Sequence, residues 1–312
     1  MSIEATVRTT PAVSPTRRHR RGPVRREQMW TGYALVLIPM LLFTIFAVVP
    51  MFYAFYLGGT KYNIIKPPDW IGLKNFLDLT RDKIFWQAMV NTAIYSLGTV
   101  PLDLALALLI ATFLNQKLRG IILFRTAFYL PVVTSIIAAS VVWLWIFAPN
   151  TGLLNLAISK LGLPPQKWLV DPKLALPSVM FMSIWKGVGY QMVIYLAALQ
   201  NVPVHLYEAA EVDGASAWAK FWRITLPLLK PTTFFLFVVS VIGSFQVFGA
   251  IFVMTNGGPG YATTTLVHQI YQNGFKFLKM GYGAAESLVL FLVIFVLSMI
   301  NWFFLRSDVE YW

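Results

Sequence analysis

Cysteine is absent from all 312 residues, so the chain can form no disulfide framework, run no thiol chemistry and build no cysteine metal site. Histidine is scarce too. His19, His205 and His268 are the only three, and no two stand at ligand spacing. Charge is thin: Asp, Glu, Lys and Arg make up 12% of the chain, about half the roughly 25% of a soluble domain. No Gly is followed by Lys-Ser or Lys-Thr, so the phosphate-cradling loop of nucleotide hydrolases is missing. Gly257-Gly258-Pro259-Gly260 lacks the Lys and reads as a turn. With neither a metal cluster nor a triad, the residues give no basis for a membrane enzyme.

What remains is long and apolar. A membrane-spanning helix needs about 20 mostly apolar residues, and six stretches qualify, at 33–56, 91–114, 126–147, 174–199, 232–254 and 284–305. The first is too long for the apolar core of a signal peptide, and no small-residue cleavage site follows it, so it is expected to stay in the mature protein. The sequence therefore predicts an all-α polytopic membrane protein of six transmembrane helices. A basic, disordered arm is expected over residues 1–29, a membrane domain over 30–306 and a short tail over 307–312. The net charge of +12 invites a nucleic-acid reading. However, seven of the 25 Lys and Arg sit in residues 1–26 against a single acid, with no folded domain around them. Arg17-Arg18-His19-Arg20-Arg21, Arg25 and Arg26 directly precede the first apolar run and read as a cytoplasmic anchor near anionic headgroups. Six spans put both termini on that side. Without the arm the two sides carry similar numbers of basic residues, so the orientation rests on the arm and on the short 115–125 loop.

A polar loop, 201–230, separates the fourth and fifth apolar stretches. Pro203 suits the first turn of a helix, where its missing N–H leaves nothing unpaired. Residues 205–212 can form that helix, with Leu206, Ala209 and Ala210 near one apolar face. Asp213-Gly214 is a turn pair in which Gly takes a left-handed backbone without strain. Residues 215–225 can restart a helix carrying Trp218, Phe221 and Trp222, and Pro227 and Pro231 mark entry to the next span. The expected form is a helix–turn–helix at the membrane surface. Composition alone would make it an interfacial amphipathic loop, but its spacing carries more. Glu208-Ala209-Ala210, then Gly214, then Ile224, Leu226 and Pro227 resembles the cytoplasmic loop of permease subunits in binding-protein-dependent ABC importers.

That resemblance implies the type I importer permease fold. It implies a coupling loop in which Glu208, Ala209, Ala210, Asp213, Gly214 and Ala215 seat on a separate ATPase, whose rigid-body motion tilts the attached spans. The implied partners are a second permease with the same loop, two copies of the ATPase and an extracytoplasmic solute-binding protein. ATP and Mg would be held by the ATPase, leaving this chain without a cofactor and not itself an enzyme. The implied location is a bacterial or archaeal cell membrane, with both termini cytoplasmic.

The resemblance runs over roughly residues 30–305. Phe124-Arg125 to Leu130-Pro131, Trp143, Pro149 and Gly152 look like the third span of carbohydrate-importing permeases. So does Trp185-Lys186-Gly187 running on to Leu199-Gln200, Pro203 and Tyr207-Glu208. Thr255-Asn256-Gly257-Gly258-Pro259 with Thr263 to Thr265 is similar to the maltose-type first permease subunit, in the sugar and glycerol-phosphate branch.

Polar residues at membrane depth mark sites by default. Ser183, Lys186, Gly187, Tyr190 and Gln191 lie in the fourth stretch, and Ser240, Ser244 and Gln246 in the fifth. Helical spacing puts Ser183, Gly187, Tyr190 and Gln191 near one face. By resemblance, Ser183, Lys186, Gly187 and Tyr190, with Ser240 and Ser244, match stretches that touch sugar in the maltose-type subunit. Hydroxyl, amide and aromatic groups suit a sugar. A Ser stands where that site has an Asn, and Lys186 replaces an aliphatic residue, which argues against maltose itself. The expected ligand is a mono- or oligosaccharide. The Lys leaves glycerol phosphate or a related polyol phosphate as the alternative. The same residues also have a packing reading. Ser and Gln hydrogen-bond between helices, and Lys186 can snorkel or pair with Asp103. Asp103 and Glu286 themselves read as structural. A stand-alone secondary transporter would need intramembrane carboxylates as proton relays. Only those two are available for it, and no inverted repeat is visible.

Overall fold

The computed structural model describes residues 26–116 and 119–305. Residues 1–25 of the arm expected over 1–29, residues 117–118, Arg306 and the tail over 307–312 lie outside them; residues 26–29 open α1. In chain order the elements are α1 (Arg26–Phe43), a π turn (Thr44–Val48), α2 (Val49–Gly58), β1 (Thr60–Lys61), β2 (Asp69–Trp70), α3 (Lys74–Arg81), α4 (Lys83–Leu114), α5 (Ile121–Val133), α6 (Ile136–Ile146), α7 (Leu153–Lys160) and α8 (Ala175–Gln200). There follow α9 (Val204–Val212), α10 (Ala217–Lys220), a π turn (Phe221–Thr225), α11 (Leu226–Leu228), α12 (Lys230–Phe245), α13 (Gly249–Met254), α14 (Leu266–Tyr271), a π turn (Gln272–Lys276) and α15 (Met280–Leu305). The two short strands pair antiparallel, Thr60 opposite Trp70.

The chain divides into two compact units at Phe52. In the first, α1 and its π turn are apolar on every side, and Trp30, Val36, Ile38 and Phe46 are all exposed. A helix apolar all round with no polar face is one that lipid or protein must cover.

In the second unit α4 is the spine. Asp82 caps it, its carboxylate accepting from the Ile84 and Phe85 amides at 2.8 and 3.3 Å. Its inward face repeats at helical spacing through Ala88, Thr92, Tyr95, Thr99, Asp103, Ala107 and Ala111, all buried. These residues are mostly small, as is usual where helices approach closely in a membrane. α8 packs along α4, and α12 packs against α4. Three apolar clusters follow the spine. One joins Leu104 and Ala107 to Met192, Tyr195 and Leu236; one joins Tyr95 to Trp143, Met182 and Ile251; one joins Phe85 and Ala88 to Phe245, Leu266 and Leu290. At the far end of α4, the Arg125 guanidinium donates to the Leu114 carbonyl at 2.8 Å, a cation on a helix C-terminus.

Two expected spans are not continuous helices. The 126–147 stretch breaks between α5 and α6, whose axes bend by 101°. Thr134 and Ser135 are extended there, with ψ of 148° and 138°. The 232–254 stretch stops at Phe245 and restarts at Gly249. Among the described residues three helices are long and apolar enough to cross a membrane, or five if two bent pairs, α5 with α6 and the 217–228 segment with α12, each count as one span. α8 has the length at 26 residues, but Ser183, Lys186 and Gln191 interrupt its apolarity.

Candidate functional site

The polar loop folds as a helix–turn–helix. Pro203 precedes α9 in an extended conformation (ψ 123°), and no residue of α9 is buried. The helix closes on Gly214 at φ +74°. Gly214 N donates to the Glu211 carbonyl at 3.0 Å and Ala215 N to the Ala210 carbonyl at 2.8 Å, the paired bonds of a Schellman C-cap. Ser216 then caps α10, accepting from the Ala219 amide at 3.2 Å. Two links tie the halves. Lys220 pairs with Glu211 at 2.7 Å, and the Tyr207 and Thr225 hydroxyls meet at 2.9 Å. The first is a solvent-exposed pair, worth well under about 1 kcal/mol, so the turn geometry and the Trp218–Phe221–Trp222 ring cluster hold the loop. Glu208, Ala209, Asp213 and Gly214 are exposed, and Ala210 and Ala215 half-buried. Val212 and Trp218, 89% and 70% exposed, add apolar surface to this polar loop, the composition of a docking face.

The expected path residues divide. Ser183, Lys186 and Gly187 line one cavity of about 350 Å³, with Tyr95, Val132, Ile136, Val247 and Phe248. Ser183 Oγ also donates to its own helix, to the Val179 carbonyl at 2.9 Å. Lys186 does not pair with Asp103. Its Nζ donates to the carbonyls of Pro131, Val132 and Thr134 at 3.1, 3.2 and 2.7 Å. Asp103 accepts instead from Gln191 Nε2 at 2.9 Å, and Ser240 Oγ lies 3.4 Å from the same amide. A side chain on Gly187 would come within 2.9 Å of that carboxylate. Ser244 donates to Ser96 Oγ at 2.7 Å, tying α12 to α4. Gln191 and Ser244 are buried; Tyr190 and Gln246 are exposed and outside the cavity. Tyr95 is the polar lining residue that sequence reasoning missed. It lies in the second apolar stretch, where an aromatic ring carries no signal of its own.

Beyond α13 a stapled turn covers the bundle. Asn256 and Gly257 take left-handed conformations, and a Cβ on Gly257 would fall 2.5 Å from His268 Cε1. Asn91 Nδ2 donates to the Tyr261 and Thr264 carbonyls, both at 2.9 Å, and Thr265 Oγ1 to the Val247 carbonyl at 3.1 Å. Burial, helped by the positive charge of Lys276, lowers the His268 pKa below its usual value. The ring lies between Asn256 Oδ1 and Gln272 Nε2 at 3.3 and 3.2 Å. Glu286, fully buried at the base of this region, accepts from Asn273 Nδ2 at 2.9 Å.

A helical bundle with apolar outer faces, a small cavity at a broken helix and an exposed surface loop defines a membrane permease. Comparison with known proteins is specific. The family described as "Binding-protein-dependent transport system inner membrane component" matches residues 103–306. The arabinooligosaccharides transport system permease protein AraP of Bacillus subtilis (strain 168) is 37% identical over 269 residues, 84% of each chain. The sn-glycerol-3-phosphate transport system permease protein UgpA of Yersinia pestis is 35% identical over 286 residues, 90% of this chain and 96% of the other. A solved bacterial alginate ABC transporter, in complex with an alginate pentasaccharide-bound periplasmic protein, contains a chain that superposes with TM-score 0.80 at 26% identity, covering 88% of this chain and 93% of that one. This chain belongs to the binding-protein-dependent inner-membrane transport family, and its fold is that of an ABC importer permease.

Proposed function

We propose that this chain forms, with a second permease of the same kind, the path by which a carbohydrate crosses a cell membrane. The loop carries the reading: Glu208, Ala209, Asp213 and Gly214 are exposed beside a Schellman-closed turn, in a chain of this family. On this reading α9 seats on a cytoplasmic ATPase, present in two copies, with Ala209 and Ala210 allowing close approach. ATP and Mg are bound there, so this chain is not an enzyme and holds no cofactor. The solute-binding protein delivers sugar from the other side. Both termini, with the arm over 1–29 and the tail over 307–312, are cytoplasmic. Ser183, Gly187 and Lys186 border the sugar's route; Gln191, Ser240 and Ser244 hold the helices beside it.

The names of AraP and of the alginate transporter support an oligosaccharide ligand. UgpA, at 35% identity, supports the second reading, a polyol phosphate. ATP hydrolysis by the assembled importer in nanodiscs separates the two. Hydrolysis should rise when the solute-binding protein carries an oligosaccharide and stay basal when it is offered sn-glycerol 3-phosphate. The reverse pattern would establish the second reading.

A further inference from the structure

The cavity beside α8 has one wall made by a helix break. Val132 and Ile136 flank that break and both line the cavity. The last carbonyls of α5 have no partner within their own helix, and in a membrane interior an unsatisfied carbonyl costs several kcal/mol. Pro131 sits in this last turn. Its carbonyl accepts from the Thr134 amide at 3.3 Å and from Thr134 Oγ1 at 2.7 Å, and the carbonyls of Val132 and Thr134 are met from α8. Lys186 Nζ reaches the Pro131, Val132 and Thr134 carbonyls at 3.1, 3.2 and 2.7 Å. An ammonium has three N–H donors, so all are committed. No carboxylate balances the charge: Lys220–Glu211 is the one ion pair among the described residues. The negative end of the α5 dipole takes that role.

We propose that Lys186 is a positioning residue, a cationic clamp that holds the α5–α6 break bent and thereby sets one wall of the substrate cavity. The clamp bridges α8 to a different helix, so movement between the two must break or carry it. Its donors are not free for a ligand phosphate. The clamp rests on the membrane-permease reading and not on the choice of solute.

The absence of native cysteine makes the test direct. Leu123 and Trp145 lie on either side of the break, 73% and 76% exposed. Spin labels on Leu123→Cys and Trp145→Cys report its angle by electron–electron distance measurement on the full chain in nanodiscs, without ligand or nucleotide. The 101° bend places the labelled backbone positions about 20 Å apart, against roughly 33 Å for an unbroken helix of that length. Lys186→Met should lengthen and broaden the distribution, and Lys186→Arg, which keeps the donors, should restore it. An unchanged distribution in Lys186→Met overturns the clamp. If Lys186→Met does not fold, Lys186→Arg decides: the native distance supports the clamp, and loss of fold or a lengthened distance overturns it. Neither result bears on which solute is carried.

Discussion

Gly189→Ala destabilises the bundle by about 3 kcal/mol, the upper end for overpacking a filled core, whereas Gly243→Ala leaves it unchanged or raises stability by about 0.5–1 kcal/mol, the ordinary gain of Ala over Gly inside a helix. Both glycines are helical, Gly189 in α8 and Gly243 in α12, so propensity alone makes them equivalent. Their surroundings differ. A Cβ at 189 would overlap the Phe128 carbonyl oxygen and stand 2.9 Å from Val132 Cγ2; at 243 nothing lies within 4 Å. The Phe128 oxygen is backbone and cannot rotate away, so α5 would have to shift as a body. That shift would also carry Val132, one of the carbonyls held by Lys186. Thermal unfolding of the purified chain, followed by tryptophan fluorescence, reads both variants. Equal effects would contradict the α5–α8 packing described here.

Gly214→Asp removes coupling while leaving the fold in place. The φ of +74° is left-handed, a conformation Asp and Asn adopt more readily than other side chains. No atom lies within 4 Å of a Cβ built there. The cost to folding is on the order of 1 kcal/mol. At the proposed ATPase contact the added carboxylate stands beside Asp213 and Glu211 in a surface built for close approach. Loss of a central contact of this kind costs about 2 kcal/mol or more, roughly 30-fold in affinity. Co-purification with the ATPase should fall accordingly, and binding-protein-stimulated hydrolysis should drop to the basal rate, with the unfolding temperature nearly unchanged. Full stimulation in a folded Gly214→Asp chain would remove this loop from the coupling route.

The two candidate regions were legible in the sequence to different depths. The coupling loop is local chemistry. Pro203 and Gly214 each act on backbone within a few residues, so their spacing foretells the start of α9 and its left-handed end; the Ser216 cap of α10 is a detail the structure adds. The expected spans at 91–114 and 284–305 lie inside α4 and α15, and that at 174–199 matches α8 to within one residue, for the same reason: apolar length alone makes a helix in lipid. The breaks were hidden because a bent and a straight apolar helix share one composition. Only Pro131 ahead of Thr134-Ser135 hinted at the first, and Gln246 at the second. Lys186 read as a ligand-facing charge because the carbonyls it serves belong to a helix end more than 50 residues earlier, and they become available only once α5 stops. The Gln191–Asp103 and Ser244–Ser96 pairs depend likewise on which helix faces meet, and that is decided by packing across 88 and 148 residues of chain.

The central claim is that this chain conducts solute only as the passive half of an ATP-driven machine. Uptake of labelled sugar into proteoliposomes tests it most directly, with the chain reconstituted alone and with its partner permease, ATPase and solute-binding protein. The account predicts uptake in the complete system on addition of ATP, no uptake by the chain alone, and no response of the chain alone to an imposed proton gradient. Accumulation by the chain alone, driven by that gradient, would contradict it and make Asp103 and Glu286 the residues to examine.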